Sequence, residues 1–296
     1  MYAATIENAI QRIPGLAENG TKVARAIHNA VLNGGDGVRH GVDILHGVWL
    51  GHPLHPVLTD IPIGAWTIGV LCDLVAAQSD SAEAAKMADA LLAIGVVAAV
   101  PTAVVGVADY SAIQKPAVAL ATAHGLLNTV GLVLNIASLR DRTTGNRGRG
   151  VLLSTVAFGV VNLAGWIGGE MVYRKRVGVD HHAEASGPND WRVTLDAGDL
   201  PERAAKRVEI DGAPVLIYRD RTSIYAIGAV CSHAGGPLDE GSFEGVCVRC
   251  PWHDSVFDLR DGSVRHGPTT YPEPAYDVRV ERGSVEVRLR RATADA

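Results

Sequence analysis

The feature that most constrains this chain is a set of long apolar stretches within its first 177 residues. Three stretches carry no charged residue over 18, 24 and 19 positions: Ala90–Val107, Pro116–Leu139 and Val151–Gly169. Each approaches the roughly 20 residues with which a helix crosses about 30 Å of hydrocarbon. A fourth stretch, Pro56–Ala77, is weaker because Asp60 and Asp73 interrupt it. We predict four transmembrane helices.

Two alternatives accompany this prediction. The weaker stretch, Pro56–Ala77, has the alternative of a helix that packs against the other helices at a membrane surface. All four stretches together have the alternative of a large soluble helical bundle. The charge-free runs have no polar face, which argues against the soluble bundle.

The C-terminal part differs in charge and in pattern. From Gly178 to the end the chain holds 20 acidic and 14 basic residues, a net of −6, and the first 177 residues hold 12 and 13, a net of +1. An acidic soluble part argues against nucleic acid as a partner, because phosphate binding requires dense Lys and Arg. From Trp191 onward, short alternating apolar runs such as Ser284–Leu289, separated by Gly-containing turns, predict antiparallel β structure.

These patterns predict an all-α transmembrane four-helix bundle followed by an all-β domain, a small antiparallel β sandwich. The predicted parts are an amphipathic N-terminal segment (1–50), the four-helix domain (51–177), a linker (178–190) and the β domain (191–291). The N-terminus lacks the basic start and apolar core of a signal peptide. Four spans place both chain ends on one side of the membrane.

The orientation prediction rests on basic residues near the spans. The side of the chain ends holds eight such residues: Arg12, Lys22, Arg25, Arg39, Lys115, Arg174, Lys175 and Arg176. The other side holds five: Lys86, Arg140, Arg142, Arg147 and Arg149. The positive-inside rule therefore places the β domain in the cytoplasm, although the dense Arg140–Arg149 region favours the opposite orientation.

Two short motifs in the β domain carry metal-binding side chains. They are Cys231-Ser-His233 and, after sixteen intervening residues, Cys250-Pro-Trp-His253. Tetrahedral zinc accepts two cysteines and two histidines, so zinc is one alternative. The second histidine lies within a β pattern that no finger-like helix follows, and this favours an iron–sulfur cluster. In such a cluster the cysteines bind one iron and the histidines the other.

The sequences around these motifs resemble the cluster loops of Rieske ferredoxins. The resemblance rests on Cys231–Gly241, on Cys250–Asp258 and on a third loop, His266-Gly-Pro268, and it extends over roughly Trp191–Leu289. It implies a 2Fe–2S cluster whose inner iron is bound by Cys231 and Cys250 and whose outer, more exposed iron is bound by His233 and His253. It also implies that the chain carries single electrons.

The chain departs from parts of the wider family. Rieske proteins of cytochrome bc-type complexes have a further cysteine in each loop, and the two form a disulfide; here Gly236 and Trp252 stand at those places. This resembles the ferredoxins of ring-hydroxylating oxygenases. High-potential members have a serine two residues and a tyrosine four residues after the second histidine, whereas this chain has Ser255 and Phe257. With Pro268 of the third loop, these residues predict an intermediate potential within the family range of about −150 to +300 mV.

The membrane part contains polar residues that suggest a second site. Ionisable side chains inside a membrane are costly and suggest function. The candidates are His52, His55, Asp60, Asp109 and His124. Haem b with two histidine ligands, a quinone or metal site, and structural polar packing are the alternatives. The His-Pro-Leu-His-Pro opening at 52–56 and the His-Gly at 124–125 resemble a family of four-helix bacterial membrane domains of unknown function, which implies a bacterial inner membrane.

We predict a membrane-anchored Rieske protein that carries electrons between a membrane or soluble donor and an unknown acceptor. Its predicted partners are a redox protein or a quinone, together with membrane lipid. Such a chain is a component of an oxidoreductase system rather than a stand-alone enzyme. Two alternatives stay open: a membrane oxidoreductase whose helical site binds haem, quinone or metal, and a redox or iron sensor.

Overall fold

A computed structural model describes residues 2–113, 116–182 and 187–290, without the side chains of residues 2–4. Its contacts divide the chain into two units: residues 1–35 with 53–177, and residues 36–52 with 178–296. Lys115, residues 183–186 of the predicted linker and residue 291 of the predicted β domain lie outside the described residues. The domain boundaries given above stay predictions.

Seven α-helices are found in the described residues. They are α1 (Tyr2–Gln11), α2 (Leu16–Asn33), α3 (Gly35–His46), α4 (Leu54–Ser79), α5 (Ala82–Tyr110), α6 (Val118–Thr143) and α7 (Arg147–Tyr173). The last four are long and apolar enough to cross a membrane. The predicted four-helix class of the N-terminal part is thus confirmed.

Helices α5, α6 and α7 each extend past one end of their charge-free stretch, to charged side chains that pair inside the bundle. The Arg142 side chain, 2% exposed, binds Asp73 and also binds Asp89 with 2.7 Å between Nη1 and Oδ1. Arg147 binds both carboxylates too, at 3.1 Å and 2.8 Å. Buried charges are tolerated when they are paired and hydrogen-bonded. The charge-free stretches therefore leave out the helix turns that carry these paired charges.

Glycines allow the bundle helices to approach closely. The indole of Trp66 on α4 occupies the place that a side chain at Gly95 of α5 would take. Trp66 is 6% exposed, and its Nε1 donates to the carbonyl of Leu92 at 3.4 Å. Small residues at helix contacts are the usual means of packing in membranes.

We predict that Gly95→Ala destabilises the four-helix unit, because its methyl group would collide with the Trp66 indole. Overpacking of this kind costs about 1–3 kcal/mol. The matched control is Gly159→Ala on α7, where a methyl group meets no atom within 4 Å. Thermal melting of the helical circular dichroism in detergent measures the effect. Equal melting temperatures for the two variants would contradict this account of the packing.

The C-terminal unit contains ten strands in its described residues. They are β1 (Arg192–Asp196), β2 (Ala205–Ile210), β3 (Ala213–Asp220), β4 (Ser223–Gly228), β5 (Ser242–Glu244), β6 (Cys247–Arg249), β7 (Val256–Asp258), β8 (Val264–His266), β9 (Ala275–Glu281) and β10 (Ser284–Leu289). They form a six-stranded sheet in the order β1-β10-β9-β4-β3-β2 and a four-stranded sheet in the order β5-β6-β7-β8. All pairings are antiparallel. The predicted all-β class is confirmed.

Strand β3 lies between two apolar cores. Val215 and Ile217 pack in one core with residues of β10. Leu216 and Tyr218, which point to the other face, pack in a second core with Cys231, Cys250 and Phe257. Because side chains alternate along a strand, β3 places the candidate metal ligands directly on a rigid apolar core.

Candidate metal centre

Two loops present the candidate ligands. The first runs from Cys231 to Gly241 and precedes β5, and the second runs from Cys250 to Ser255 and joins β6 to β7. In the first loop the Cys231 N–H donates to the carbonyl of Gly236 at 2.8 Å. In the second, the Cys250 N–H donates to the carbonyl of Ser255, also at 2.8 Å. Each loop therefore closes on its own cysteine, and both cysteines are 1% exposed.

The loops bring the two histidines together. The Nδ1 atoms of His233 and His253 lie 3.1 Å apart, and the ring centroids lie 4.7 Å apart with the rings nearly perpendicular. His253 is buried and 6% exposed. Burial lowers the pKa of His233 well below its ordinary value, and the neighbouring His253, His46 and His181 lower it further. A neutral imidazole is the form that binds metal.

The cysteines form the second pair. A hydrogen bond between the two thiols, followed by burial, raises the pKa of Cys231. The same hydrogen bond and the backbone N–H groups of Trp252 and His253 together lower the pKa of Cys250 to about 7, although burial opposes them. Backbone donors directed at sulfur favour the thiolate, which is the metal-binding form.

The four side chains are thus arranged as two pairs. In the part of the chain that the structure describes, no group of three or more His, Cys, Asp or Glu side chains is arranged to hold a single ion. A binuclear cluster requires one pair for each iron, whereas zinc requires all four donors around one ion. The donor set therefore fits a 2Fe–2S cluster better than zinc.

Gly236 leaves room beside the second loop. A Cβ at this position would lie 2.8 Å from the Sγ of Cys250 and 3.2 Å from the indole of Trp252. Gly236 and Trp252 stand where Rieske proteins of cytochrome bc-type complexes have the two cysteines of their disulfide. Here the indole packs directly on the glycine.

Comparison with known proteins agrees with this geometry. The Rieske 2Fe–2S domain matches residues 190–280, and the family described as "Predicted membrane protein (DUF2231)" matches residues 51–181. The ferredoxin subunit of anthranilate 1,2-dioxygenase from Burkholderia cepacia is 36% identical over 76 residues, which cover 26% of this chain and 70% of that protein. The chain belongs to the Rieske 2Fe–2S family.

Two further ferredoxins are similar to part of the chain. Ferredoxin CarAc from Metapseudomonas resinovorans is 31% identical over 98 residues, covering 33% of this chain and 92% of that protein. The solved structure of the ferredoxin of carbazole 1,9a-dioxygenase from Nocardioides aromaticivorans is 33% identical and covers 33% of this chain and 95% of that chain, with a TM-score of 0.32. The Rieske domain is an electron-transfer module, and the four apolar helices with the DUF2231 match indicate membrane anchoring.

The third loop of the Rieske domain is tied to both cluster loops through Thr269. Its hydroxyl lies 2.9 Å from that of Ser232, and its backbone N–H donates to the Oγ of Ser255 at 3.4 Å. Ser255 and Phe257 are both fully buried. Pro268 directly precedes Thr269 and follows a cis peptide bond. Of the three residues predicted to tune the potential, Ser255 and Phe257 therefore lie in or just after the second cluster loop, and Pro268 lies in the third loop.

Sequence reasoning missed a buried ion pair behind the first loop. The carboxylate of Glu273, 3% exposed, accepts the Ser232 N–H at 2.8 Å and lies 2.7 Å from the Nε2 of His182. Burial raises the pKa of Glu273. Although burial lowers the pKa of His182, the neighbouring Glu273 carboxylate raises it overall. The signal in the sequence was a lone glutamate between Pro272 and Pro274, with its partner inside the predicted linker.

The structure brings together two of the five predicted membrane-site residues. The rings of His55 and His124 lie 6.4 Å apart between centroids. The His55 Nδ1 bonds the Thr102 carbonyl at 3.2 Å, and the His124 Nδ1 bonds the Ala164 carbonyl at 2.8 Å.

The other three residues have different settings. Asp60 is exposed on α4 and Asp109 is half-buried near the end of α5. His52 belongs to the C-terminal unit. Only the histidine pair on α4 and α6 therefore remains a candidate site inside the bundle.

We predict that Gly236→Ala weakens cluster retention, because its methyl group would press on the Cys250 sulfur at 2.8 Å. Strain of this kind costs about 1–3 kcal/mol, so the cluster should be lost at lower temperature. Gly198→Ala is the control, since its methyl group meets its nearest atom at 3.4 Å. Acid-labile sulfide per protein after a heating series gives the result. Equal retention in both variants would show that the glycine is not required.

Proposed function

We propose that Cys231 and Cys250 hold the inner iron of the cluster and that His233 and His253 hold the outer iron. The observation that carries this proposal is the division of the four ligands into two buried pairs on two self-closed loops. When bound, such a cluster accepts and releases one electron. The chain contributes the thiolate-favouring backbone donors, the neutral imidazoles and the exclusion of water.

We further propose that the electron passes to or from a protein partner. The relative from Burkholderia cepacia is the ferredoxin subunit of a dioxygenase, so a protein partner of the oxidoreductase class agrees with the Rieske domain. A quinone as partner, and contact with lipid, are supported only by the four apolar helices.

We propose a cytoplasmic Rieske domain in a bacterial inner membrane. The basic residues on the side of the chain ends outnumber those on the other side by eight to five. The structure supports this orientation through two of the five basic residues on the other side. Arg142 and Arg147 belong to helices α6 and α7 and pair with Asp73 and Asp89 inside the unit, rather than lying free in a loop.

Replacing the ligands tests the proposed assignment. Cys231→Ser and His233→Ala should each abolish the Rieske-type EPR signal of the dithionite-reduced full chain, because each removes a ligand of one iron. The matched control is Cys247→Ser, a half-buried free cysteine on β6. Its signal should equal that of the native chain. A ligand variant that keeps the native signal would refute the assignment.

Ser255→Ala tests the predicted tuning of the potential. The Ser255 Oγ accepts the Thr269 N–H, which leaves its own proton available to a cluster sulfur. A donor worth about 1.4 kcal/mol more to the reduced state raises a one-electron potential by about 60 mV. We expect the variant to titrate lower by that amount, and the exposed Ser242→Ala to titrate like the native protein. An unchanged Ser255→Ala potential would exclude the role.

A second candidate function rests on the histidine pair in the helical unit. His55 and His124 each bond a backbone carbonyl through Nδ1, as metal-bound histidines commonly do. Asn128 lies 3.1 Å from the Nε2 of His124, so ligation there requires this amide to move. We propose that the pair binds haem b, with a quinone or a metal ion as the alternative ligand.

The visible spectrum of the full chain, expressed with ample haem, tests this candidate. We expect a Soret band in the native protein and its loss in His55→Ala and in His124→Ala. His40→Ala, an exposed histidine on α3, should keep the band. A native chain without a Soret band would exclude haem and leave quinone extraction as the remaining test of the site.

A further inference from the structure

The Rieske domain contacts a segment that lies far earlier in the chain. Residues 36–52, here called the cover segment, belong to the same unit as residues 178–296. The segment contains α3 from Asp36 onward and the short 3-10 helix Val48–Leu50. Two of its polar residues, Asp43 and His46, are only 8% and 5% exposed.

The cover segment holds the third loop through a carboxylate. One oxygen of Asp43 lies 2.7 Å from the Nδ1 of His266, and the other accepts the Gly267 N–H at 2.8 Å. A Cβ on Gly267 would lie 3.1 Å from the His46 ring and 3.3 Å from Val48. A buried carboxylate is costly unless its hydrogen bonds are made, and charge-assisted bonds of this kind are strong. The contact is therefore specific and closely packed.

The same segment reaches the second cluster loop. The Arg39 guanidinium donates to the carbonyl of Asp254 at 2.8 Å. Asp254 directly follows His253 and adopts a left-handed backbone conformation with φ 62°. The cover segment thus contacts both loops that border the histidine ligands.

The cover segment lies next to the loops that carry or border the histidine ligands. His253 is 6% exposed, and the His46 ring packs against Gly267 of the third loop. The neighbouring Trp252, by contrast, is 47% exposed. The cover segment therefore contacts the loops beside the histidine ligands, while the Trp252 side chain of the second loop stays open to solvent.

We propose that the cover segment determines which acceptors the cluster can serve. A protein partner, which needs a broad contact over the histidine edge, reaches the cluster only after the segment is displaced. A small mediator reaches it without displacement. The inference rests on the proposed function, because it assigns the electron to the pair His233 and His253. In each transfer the cluster loses one electron and the acceptor gains one.

The test compares two acceptors with the reduced full chain in detergent: cytochrome c as the protein acceptor and ferricyanide as the small one. Asp43→Asn and Arg39→Ala weaken the two contacts of the segment separately. Asp36→Asn, an exposed acid on the same helix, is the matched control. The apparent rate of cytochrome c reduction rises in proportion to the fraction of molecules whose cover segment is displaced. We therefore expect this rate to be about tenfold higher in Asp43→Asn. Ferricyanide reduction and both rates of the control should stay near the native values.

The outcomes separate the two proposals. A native chain without a Rieske-type EPR signal would overturn the proposed function itself. If the signal is present, an unchanged or slower rate of cytochrome c reduction in both Asp43→Asn and Arg39→Ala would overturn the proposed role of the cover segment. Should both variants lose the cluster, hydrogen exchange of the native chain decides. The Gly267 amide is expected to be protected by its bond to Asp43, and rapid exchange at that amide would overturn the inference.

Discussion

The structure of the C-terminal unit depends on how four candidate metal ligands are held inside an apolar core in the forms that bind metal. Cys231 and Cys250 are each 1% exposed, and His253 is 6% exposed. Burial alone would favour neutral thiols, which do not bind metal. Backbone donors from Trp252 and His253 counter this effect at the Cys250 sulfur. The tight closure of each loop on its cysteine is what directs those donors.

The surrounding elements preserve this arrangement from several sides. Strand β3 contributes Leu216 and Tyr218 to the core on which both cysteines lie. Thr269 ties the third loop to Ser232 and Ser255. Behind the first loop, Glu273 fixes the Ser232 amide. A cluster site that is supported by second contacts of this kind keeps its geometry through the change of charge that electron transfer brings.

Much of this was predictable from sequence, and the remainder was not, for physical reasons. The spacing of Cys231, His233, Cys250 and His253 identifies the family because few other sites use those donors in that order. The partners Asp43 and Glu273 could not be found in this way, because each meets its loop through a contact between distant parts of the chain. The charge-free stretches stop short of Asp89, Arg142 and Arg147, because a charged residue looks unfavourable in isolation and is tolerated in these helices only when it is paired.

The most direct test of the account is the EPR spectrum of the reduced native chain with histidine labelled by ¹⁵N. The account predicts a Rieske-type signal with nitrogen couplings from both histidine ligands, and loss of one coupling set when His233 or His253 alone is replaced by cysteine. A native chain that binds zinc and shows no such signal would contradict it.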